Sequence, residues 1–192
     1  DIIFTSGTTG KPKGVMSRHD QTIRVFLEWS DIVGLNETDR YLIVNPFFHT
    51  FGYKAGFLSC LLRGATMLPV PVFDIPVVLQ KISDEKISAI PGPPTLYLSI
   101  LNHPDRARFD LSSLRLAVTG AAAVPVEMIN RMRNELNFEV ILTAYGLTES
   151  TGTVTMCRAD DDPITISTTS GRAITDVEVR IVDENNNEVQ RG

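Results

Sequence analysis

Two short stretches, far apart in the chain, hold residue types that handle phosphates. The first is Thr5-Ser6-Gly7-Thr8-Thr9-Gly10-Lys11-Pro12-Lys13-Gly14, which combines four hydroxyls, three glycines and two lysines. Glycines let a backbone turn sharply and bring N–H groups around an anion. Hydroxyls donate to phosphate oxygens and can ligate magnesium, and lysines supply positive charge. A P-loop needs four residues between its glycines and then Gly-Lys-Ser/Thr opening a helix. Here only Thr8 and Thr9 separate Gly7 from Gly10, and Pro12 biases Lys11 away from helical geometry. The stretch is therefore expected to be an extended phosphate loop of another kind. A plain polar turn is the competing reading, and the full length with both lysines disfavours it.

The second stretch, Tyr145-Gly146-Leu147-Thr148-Glu149, places a ring, a turn, a hydroxyl and a carboxylate within five residues. A tyrosine face can stack on a purine, and a threonine hydroxyl can hold a phosphate. A glutamate there would repel phosphate unless a cation lay between, so Glu149 implies Mg²⁺. Taken alone, a strand–loop junction with a surface Glu is an equal reading. Thr119-Gly120-Ala121-Ala122-Ala123 has no large side chain, and a flat backbone of that kind can lie against a base. By itself it reads better as close strand–helix packing. His49 sits among Phe47, Phe48 and Phe51, where it could line an apolar pocket. It lacks a nucleophile partner nearby in sequence, and alone it reads better as a core histidine with a satisfied hydrogen bond. Cys60, on an apolar helix, reads as packing.

These stretches need elements to position them. Ile2-Ile3-Phe4 reads as the end of a buried strand. Helices are expected over 20–33, with Ile23, Phe26, Leu27 and Ser30–Val33 on one face, over 52–63 ended by Gly64, over 75–84, 95–101 and from Pro125 through Leu136. Strands are expected over 41–45, 65–70, 87–90, 114–118 and 140–143. Strands alternating with helices, and strand cores that are continuously apolar, imply an α/β fold with a mostly parallel sheet flanked by helices. Ligands of such sheets bind beyond the carboxyl ends of the strands, and all four stretches follow predicted strands. Near Cys157 the character changes. Asp160-Asp161-Asp162 reads as a solvated loop, Val177–Val182 as an alternating half-buried strand, Asn185–Asn187 as a turn and Glu188-Val189 as a return strand. The expected division is thus 1–157 as the α/β part and 158–192 as a linker with the start of a small antiparallel β element.

The chain has 192 residues, 43% hydrophobic, with 18 Lys+Arg against 23 Asp+Glu for a net charge of −5. The absence of a basic surplus argues against nucleic acid as the main partner, and a local Gly/Thr/Lys site on an acidic protein suits a small anionic ligand. Only Cys60 and Cys157 are present, without zinc-type spacing, which fits a reducing cytoplasm better than a disulfide framework. The apolar stretch around Ala55–Leu62 is broken by Arg63, so no transmembrane segment is expected.

Thr5–Gly14 and Tyr145–Glu149 together resemble the phosphate loop and the Tyr-Gly-x-Thr-Glu motif of the adenylate-forming superfamily. Gly120-Ala121-Ala122 resembles its adenine-binding segment and Pro46–Gly52 its aromatic-His segment. The aromatic-His segment is more similar to acyl-CoA synthetases, of the type serving fatty-acid and steroid catabolism, than to amino-acid adenylation domains. The resemblance implies ATP, Mg²⁺, a carboxylic acid and coenzyme A as ligands. Thr5, Ser6, Gly7, Thr8, Thr9, Gly10 and Lys13 would hold the β- and γ-phosphates, Thr148 the α-phosphate and Glu149 the metal. Tyr145, Gly146, Gly120, Ala121 and Ala122 would contact the nucleotide, and His49, Phe51 and Gly52 would border the acyl pocket. Thr148, Glu149 and Lys13 are the residues implied to serve the reaction itself. Gly171-Arg172-Ala173-Ile174-Thr175-Asp176 resembles a later Gly-Arg-Pro-type segment without its prolines. The family's ribose-binding Asp motif and C-terminal-domain lysine have no counterpart, so a central piece of a larger N-terminal domain is implied, unable alone to complete thioester synthesis. Two alternatives stay open: an amino-acid or aryl-acid adenylation domain, and a nucleotide-binding or structural module without turnover.

Overall fold

The computed structural model describes residues 1–6, 10–120, 122 and 124–190. Its apolar runs form the middle of a sheet. β3 (Arg40–Ile43) pairs in parallel with β4 (Thr66–Pro69), Arg40 opposite Thr66. β5 (Leu116–Gly120) pairs in parallel with β6 (Val140–Tyr145), Leu116 opposite Val140. Between the two pairs runs the segment expected as a strand over 87–90, reduced to parallel bridges from Ala89 to Tyr41 and to Leu116. The Leu42 N–H donates to the Ala89 carbonyl at 2.9 Å, and the Ile90 N–H donates to the Leu116 carbonyl at 3.0 Å. Pro91, Pro93 and Pro94 follow at once, and residues without an N–H cannot extend a ladder. β6 continues antiparallel to β7 (Thr155–Met156), and β7 to β8 (Arg172–Ala173).

Helices cover this sheet. α1 (His19–Val33) starts and stops as the periodicity predicts, but its buried face is Thr22, Val25, Phe26, Trp29, Ser30 and Val33. Ile23 and Leu27, expected on that face, are exposed. The step from Thr22 through Phe26 and Trp29 to Val33 is the stripe that turns inward. The helix expected over 52–63 is a π-helix (Phe51–Leu58) running into α2 (Ser59–Arg63), closed by Gly64 at φ +70°. α3 (Ile75–Glu85) is capped by Asp74, whose Oδ1 accepts from the Val77 N–H at 3.1 Å. α4 (Pro94–Leu101) and α5 (Val126–Leu136) lie against each other, with Tyr97 edge-on to Phe138 just past the end of α5. Fully buried Leu79, Ile82, Ile100, Leu116, Val118, Ile129, Met132 and Leu142 fill the core, each worth about 1.5–3 kcal/mol against exposure. At the amino ends of the strands, Asp39 is 1% exposed and receives hydrogen bonds from the Arg115 guanidinium and, at 2.6 Å, from the Ser88 hydroxyl.

Three segments depart from expectation. Ile2–Thr5 is not a buried strand end. As β1 it pairs antiparallel with β2 (Lys13–Met16), Thr5 opposite Lys13, in a hairpin that among the described residues joins no other strand. Its outward residues Ile2 and Phe4 are 60% and 69% exposed. The acidic run is only partly solvated. Asp161 accepts from the Arg158 N–H and from Arg172, and Asp162 caps α6 (Pro163–Thr168) by accepting from the Ile164 and Thr165 N–H groups. Finally, the strand expected over 177–182 shrinks to one antiparallel bridge, Val182 to Glu188. Val179 and Ile181 stay exposed, and two strands without a covered face are marginal. The segment before it is anchored: Ile166 and Ile174 are buried in the same core. The Thr175 N–H and hydroxyl donate to Glu28, and Arg24 donates to Asp176, which ties the proline-free Gly171–Asp176 segment to α1.

Candidate functional site

Beyond the carboxyl ends of β5 and β6 lies a cleft of about 660 Å³. Its lining draws on all four stretches singled out in the sequence. Thr5 and Ser6 from the end of β1 and Lys13 from the start of β2 form one rim. Lys13 is exposed and, among the described residues, has no carboxylate partner, so its charge is available to an anion. Gly7, Thr8, Thr9 and Ala121 lie outside the described residues. Gly10, Ala122 and Gly52 are described but do not line the cleft.

The opposite rim is the turn after β6. Tyr145 is 47% exposed, with a ring free to stack. Thr148 and Glu149 sit on a single 3₁₀ turn (Thr148–Ser150). Ser150 pins that turn: its Oγ accepts from the Leu147 N–H and donates to the Leu147 carbonyl, both at 2.9 Å. The Gly152 N–H also donates to the Leu147 carbonyl, and the Val154 N–H to the Tyr145 carbonyl. Gly146 is required by this close return of the chain. A Cβ there would stand 2.1 Å from the Gly152 carbonyl oxygen and 2.7 Å from the Thr153 nitrogen. The 3₁₀ turn also lies against β2, which is how two motifs so distant in sequence come to face one cleft.

The third wall is apolar. Phe26 and Trp29 reach it from α1, Phe51 and Ala55 from the π-helix. Phe51 and Ala55 lie four apart, and the wider π turn keeps such a pair on one side. Gly52 stands behind this wall, packed so tightly that a Cβ would fall 2.3 Å from the Pro46 carbonyl oxygen. His49 is not a core histidine. It is exposed at the cleft, with Nδ1 accepting from the Phe51 N–H at 3.1 Å, so the neutral ring carries its proton on Nε2. Sequence reasoning missed Phe26, Trp29, Ala55, Gly152 and Thr153 as lining residues. Trp29, three residues after Phe26 on α1, was the one with a legible signal.

Among the described residues no cluster of three or more His, Cys, Asp or Glu could by itself hold a metal. Glu149, exposed on the rim, is a lone carboxylate without a cationic partner among the described residues. That suits an ion shared with phosphate oxygens rather than a protein cage. Both cysteines are buried and free, and burial pushes the Cys60 thiol up to about 12. No helix of the described residues is long and apolar enough to cross a membrane.

A sheet with helices on it, a hydroxyl- and lysine-bearing hairpin, and a Tyr-Gly-Leu-Thr-Glu turn facing it meet at this cleft, and the chain belongs to the AMP-binding enzyme family, which it matches over residues 2–192. It is 60% identical over 184 residues to the 3-[(3aS,4S,7aS)-7a-methyl-1,5-dioxo-octahydro-1H-inden-4-yl]propanoyl:CoA ligase of Rhodococcus jostii (strain RHA1), an alignment covering 96% of this chain and 36% of that protein. The ligase of the same name from Mycobacterium tuberculosis is 53% identical over 184 residues, again 96% of this chain and 36% of the relative. Among solved structures, the anthranilate CoA ligase AuaEII in complex with anthranoyl-AMP superimposes with a TM-score of 0.89 at 28% identity, over 100% of this chain and 37% of that one. The chain thus spans about a third of the length of the curated relatives it matches.

Proposed function

We propose that the full-length protein carrying this chain is an ATP-dependent acyl-CoA ligase. In the first half-reaction a carboxylate oxygen of the acid attacks the α-phosphorus of ATP, and pyrophosphate leaves. In the second, the coenzyme A sulfur attacks the acyl carbon, its proton is lost, and AMP departs with the oxygen it shared. No protein nucleophile is needed. The demand is alignment of the attacking and leaving oxygens and neutralisation of charge.

The observation that carries this reading is the single cleft shared by Thr5, Ser6 and Lys13 on one rim, Thr148 and Glu149 on the other, and Phe26, Trp29, Phe51 and Ala55 as an apolar wall. In this assignment Thr5, Ser6, Gly7, Thr8, Thr9, Gly10 and Lys13 grip the β- and γ-phosphates. Thr148 holds the α-phosphate, and Tyr145, Gly146, Gly120, Ala121 and Ala122 face the adenosine. Glu149 takes Mg²⁺, which when bound offsets phosphate charge. His49 and Phe51 flank the acid, with Gly52 packed behind them. An aromatic wall of this kind suits a carboxylic acid with a bulky apolar body, such as the bicyclic propanoic acid in the relatives' names. Two free, buried cysteines favour a reducing, cytoplasmic setting.

The test is pyrophosphate release by the full-length protein with ATP and Mg²⁺ over a panel of carboxylic acids, followed by thioester formation with coenzyme A. Acid-dependent release and a coenzyme A thioester are expected, highest with ring-bearing acids. Release without transfer to coenzyme A, but with transfer to a phosphopantetheine carrier, would move the protein to the adenylation domains. No acid-dependent release from any acid would overturn the enzymatic reading.

A further inference from the structure

Lys54 lies on the π-helix, one residue before Ala55 of the acid-side wall, with its side chain fully buried. A buried ammonium is retained only where its donors are met, and burial holds its pKa below the usual lysine value. Its Nζ makes two hydrogen bonds and one ion pair. The partners are the Ser17 hydroxyl at 3.0 Å, the Thr22 hydroxyl at 3.5 Å and the Asp1 carboxylate at 3.4 Å. Thr22 is on α1, one turn before Phe26 of the acid wall. Asp1 and Ser17 are the residues just outside β1 and β2. Those two residues are also joined backbone to backbone, the Ser17 N–H to the Asp1 carbonyl and the Asp1 nitrogen to the Ser17 carbonyl, both at 3.0 Å. Lys54 therefore grasps the closed base of the hairpin whose other end carries Thr5, Ser6 and Lys13 to the cleft. Among the described residues the hairpin pairs with no strand of the main sheet, and the Lys54 tip ties its base to the π-helix.

We infer that Lys54 is a positioning residue that fixes the phosphate-loop hairpin to the acid-binding wall, so that the helix sensing the acid also sets the grip on the ATP phosphates. This rests on the acyl-CoA ligase reading for its catalytic consequence but not for its structural one. Lysine is suited to the role because one flexible chain can reach across a buried gap and offer three donors at its tip. Phe51 and Ala55 face the acid, and Lys54 turns from the same helix to the hairpin base. A displacement of that helix by a bound acid reaches the hairpin base through this buried tip.

The experiment uses three variants of the full-length protein: Lys54→Met, which keeps length and loses the donors; Ser17→Ala, which loses the hairpin-side hydroxyl; and Thr22→Val, which loses only the α1-side hydroxyl. Backbone hydrogen exchange without ligand is read across 2–17 and across β5–β6, and ATP and acid KM values are measured by pyrophosphate release. Lys54→Met and Ser17→Ala should speed exchange in the hairpin at least fivefold with β5–β6 unchanged. They should raise the KM for ATP about tenfold, with the acid KM within twofold. Thr22→Val should leave both KM values within twofold. Unchanged hairpin exchange in Lys54→Met would overturn the inference whatever the enzyme does. Equal acceleration in hairpin and sheet, or equal rises in both KM values, would reduce Lys54 to general packing and overturn it as well. A protein that releases no pyrophosphate with any acid would refute the ligase reading, while the exchange measurement would still decide the anchor.

Discussion

Replacing Gly146 by alanine tests the geometry of the site most directly. The added methyl would lie 2.1 Å from the Gly152 carbonyl oxygen, 2.5 Å from its carbon and 2.7 Å from the Thr153 nitrogen, all backbone atoms that cannot swing aside. Ordinary contact begins at 3.4 Å, so the two strands of this return must part by 3.4 − 2.1 = 1.3 Å. Overpacking of this kind costs about 1–3 kcal/mol of stability. The Leu147 carbonyl, which receives both the Gly152 N–H and the Ser150 hydroxyl, is in the path of that movement. The 3₁₀ turn carrying Thr148 and Glu149 must shift with it. A misplacement on the order of 1 Å at a positioning site lowers rate roughly a hundredfold. Gly146→Ala in the full-length protein should therefore lose about two orders of magnitude in kcat/KM for acid-dependent ATP–pyrophosphate exchange, while remaining folded by circular dichroism. Activity within threefold of the parent would refute the reasoning, because it would mean either that the return relaxes elsewhere or that the turn does no positioning.

Other expectations follow from the same cleft. Ala55→Phe fills the acid-side wall with a ring where a 3% exposed methyl now stands. It should lower kcat/KM for ring-bearing acids at least about tenfold, which corresponds to about 1.4 kcal/mol, while short linear acids lose less in the same pyrophosphate assay. Glu149→Gln removes an exposed carboxylate and should leave thermal unfolding unchanged, but cut kcat about a hundredfold and weaken the dependence of rate on Mg²⁺ concentration. Stability should also carry a signature at low pH. Arg131 and then Arg106 hydrogen-bond Glu135 and hold its carboxyl down to about 2, from an ordinary 4.5. Its contribution is full above about 4.5 and lost as pH falls toward 2. Denaturant titrations between those pH values should show a shallower decline in Glu135→Gln than in the parent.

The sequence exposed most of the elements because their signals were local. Pro76 and Asp74 mark the start of α3, Gly64 marks the end of α2, and the apolar runs at 116–118 and 140–143 can only be buried strands. What escaped depends on partners distant in sequence. Ile2–Phe4 is as apolar as a core strand, and only its pairing with Lys13–Met16 away from the sheet leaves Ile2 and Phe4 outside. Phe51–Leu58 has the composition of any buried helix, and nothing in it distinguishes a π turn from an α turn. Lys54 within that run reads as a lysine stranded among apolar neighbours until Ser17, Thr22 and Asp1 are brought to its tip. The cleft follows the same division. Its polar rims were legible as motifs, whereas Ala55 became a wall residue only through the packing of α1 against the π-helix.

The π-helix has a consequence for how such a site diversifies. Its turns hold roughly one residue more than those of an α-helix, since the bonds run i to i+5. The seam with α2 is sealed where the Ser59 N–H and hydroxyl both reach the Lys54 carbonyl. Removing one residue between Phe51 and Leu58 would let the segment relax to α geometry, the flanking residues keeping their phase and those inside the segment being re-aimed. Phe51 and Ala55 would then stand three or four positions apart, still neighbours on one face, with the backbone between them re-aimed. A single insertion or deletion in this short span can therefore re-aim the apolar wall of the cleft in one event, leaving the strand-end turn of Thr148 and Glu149 untouched. Substitution alone would need several coordinated changes to do the same.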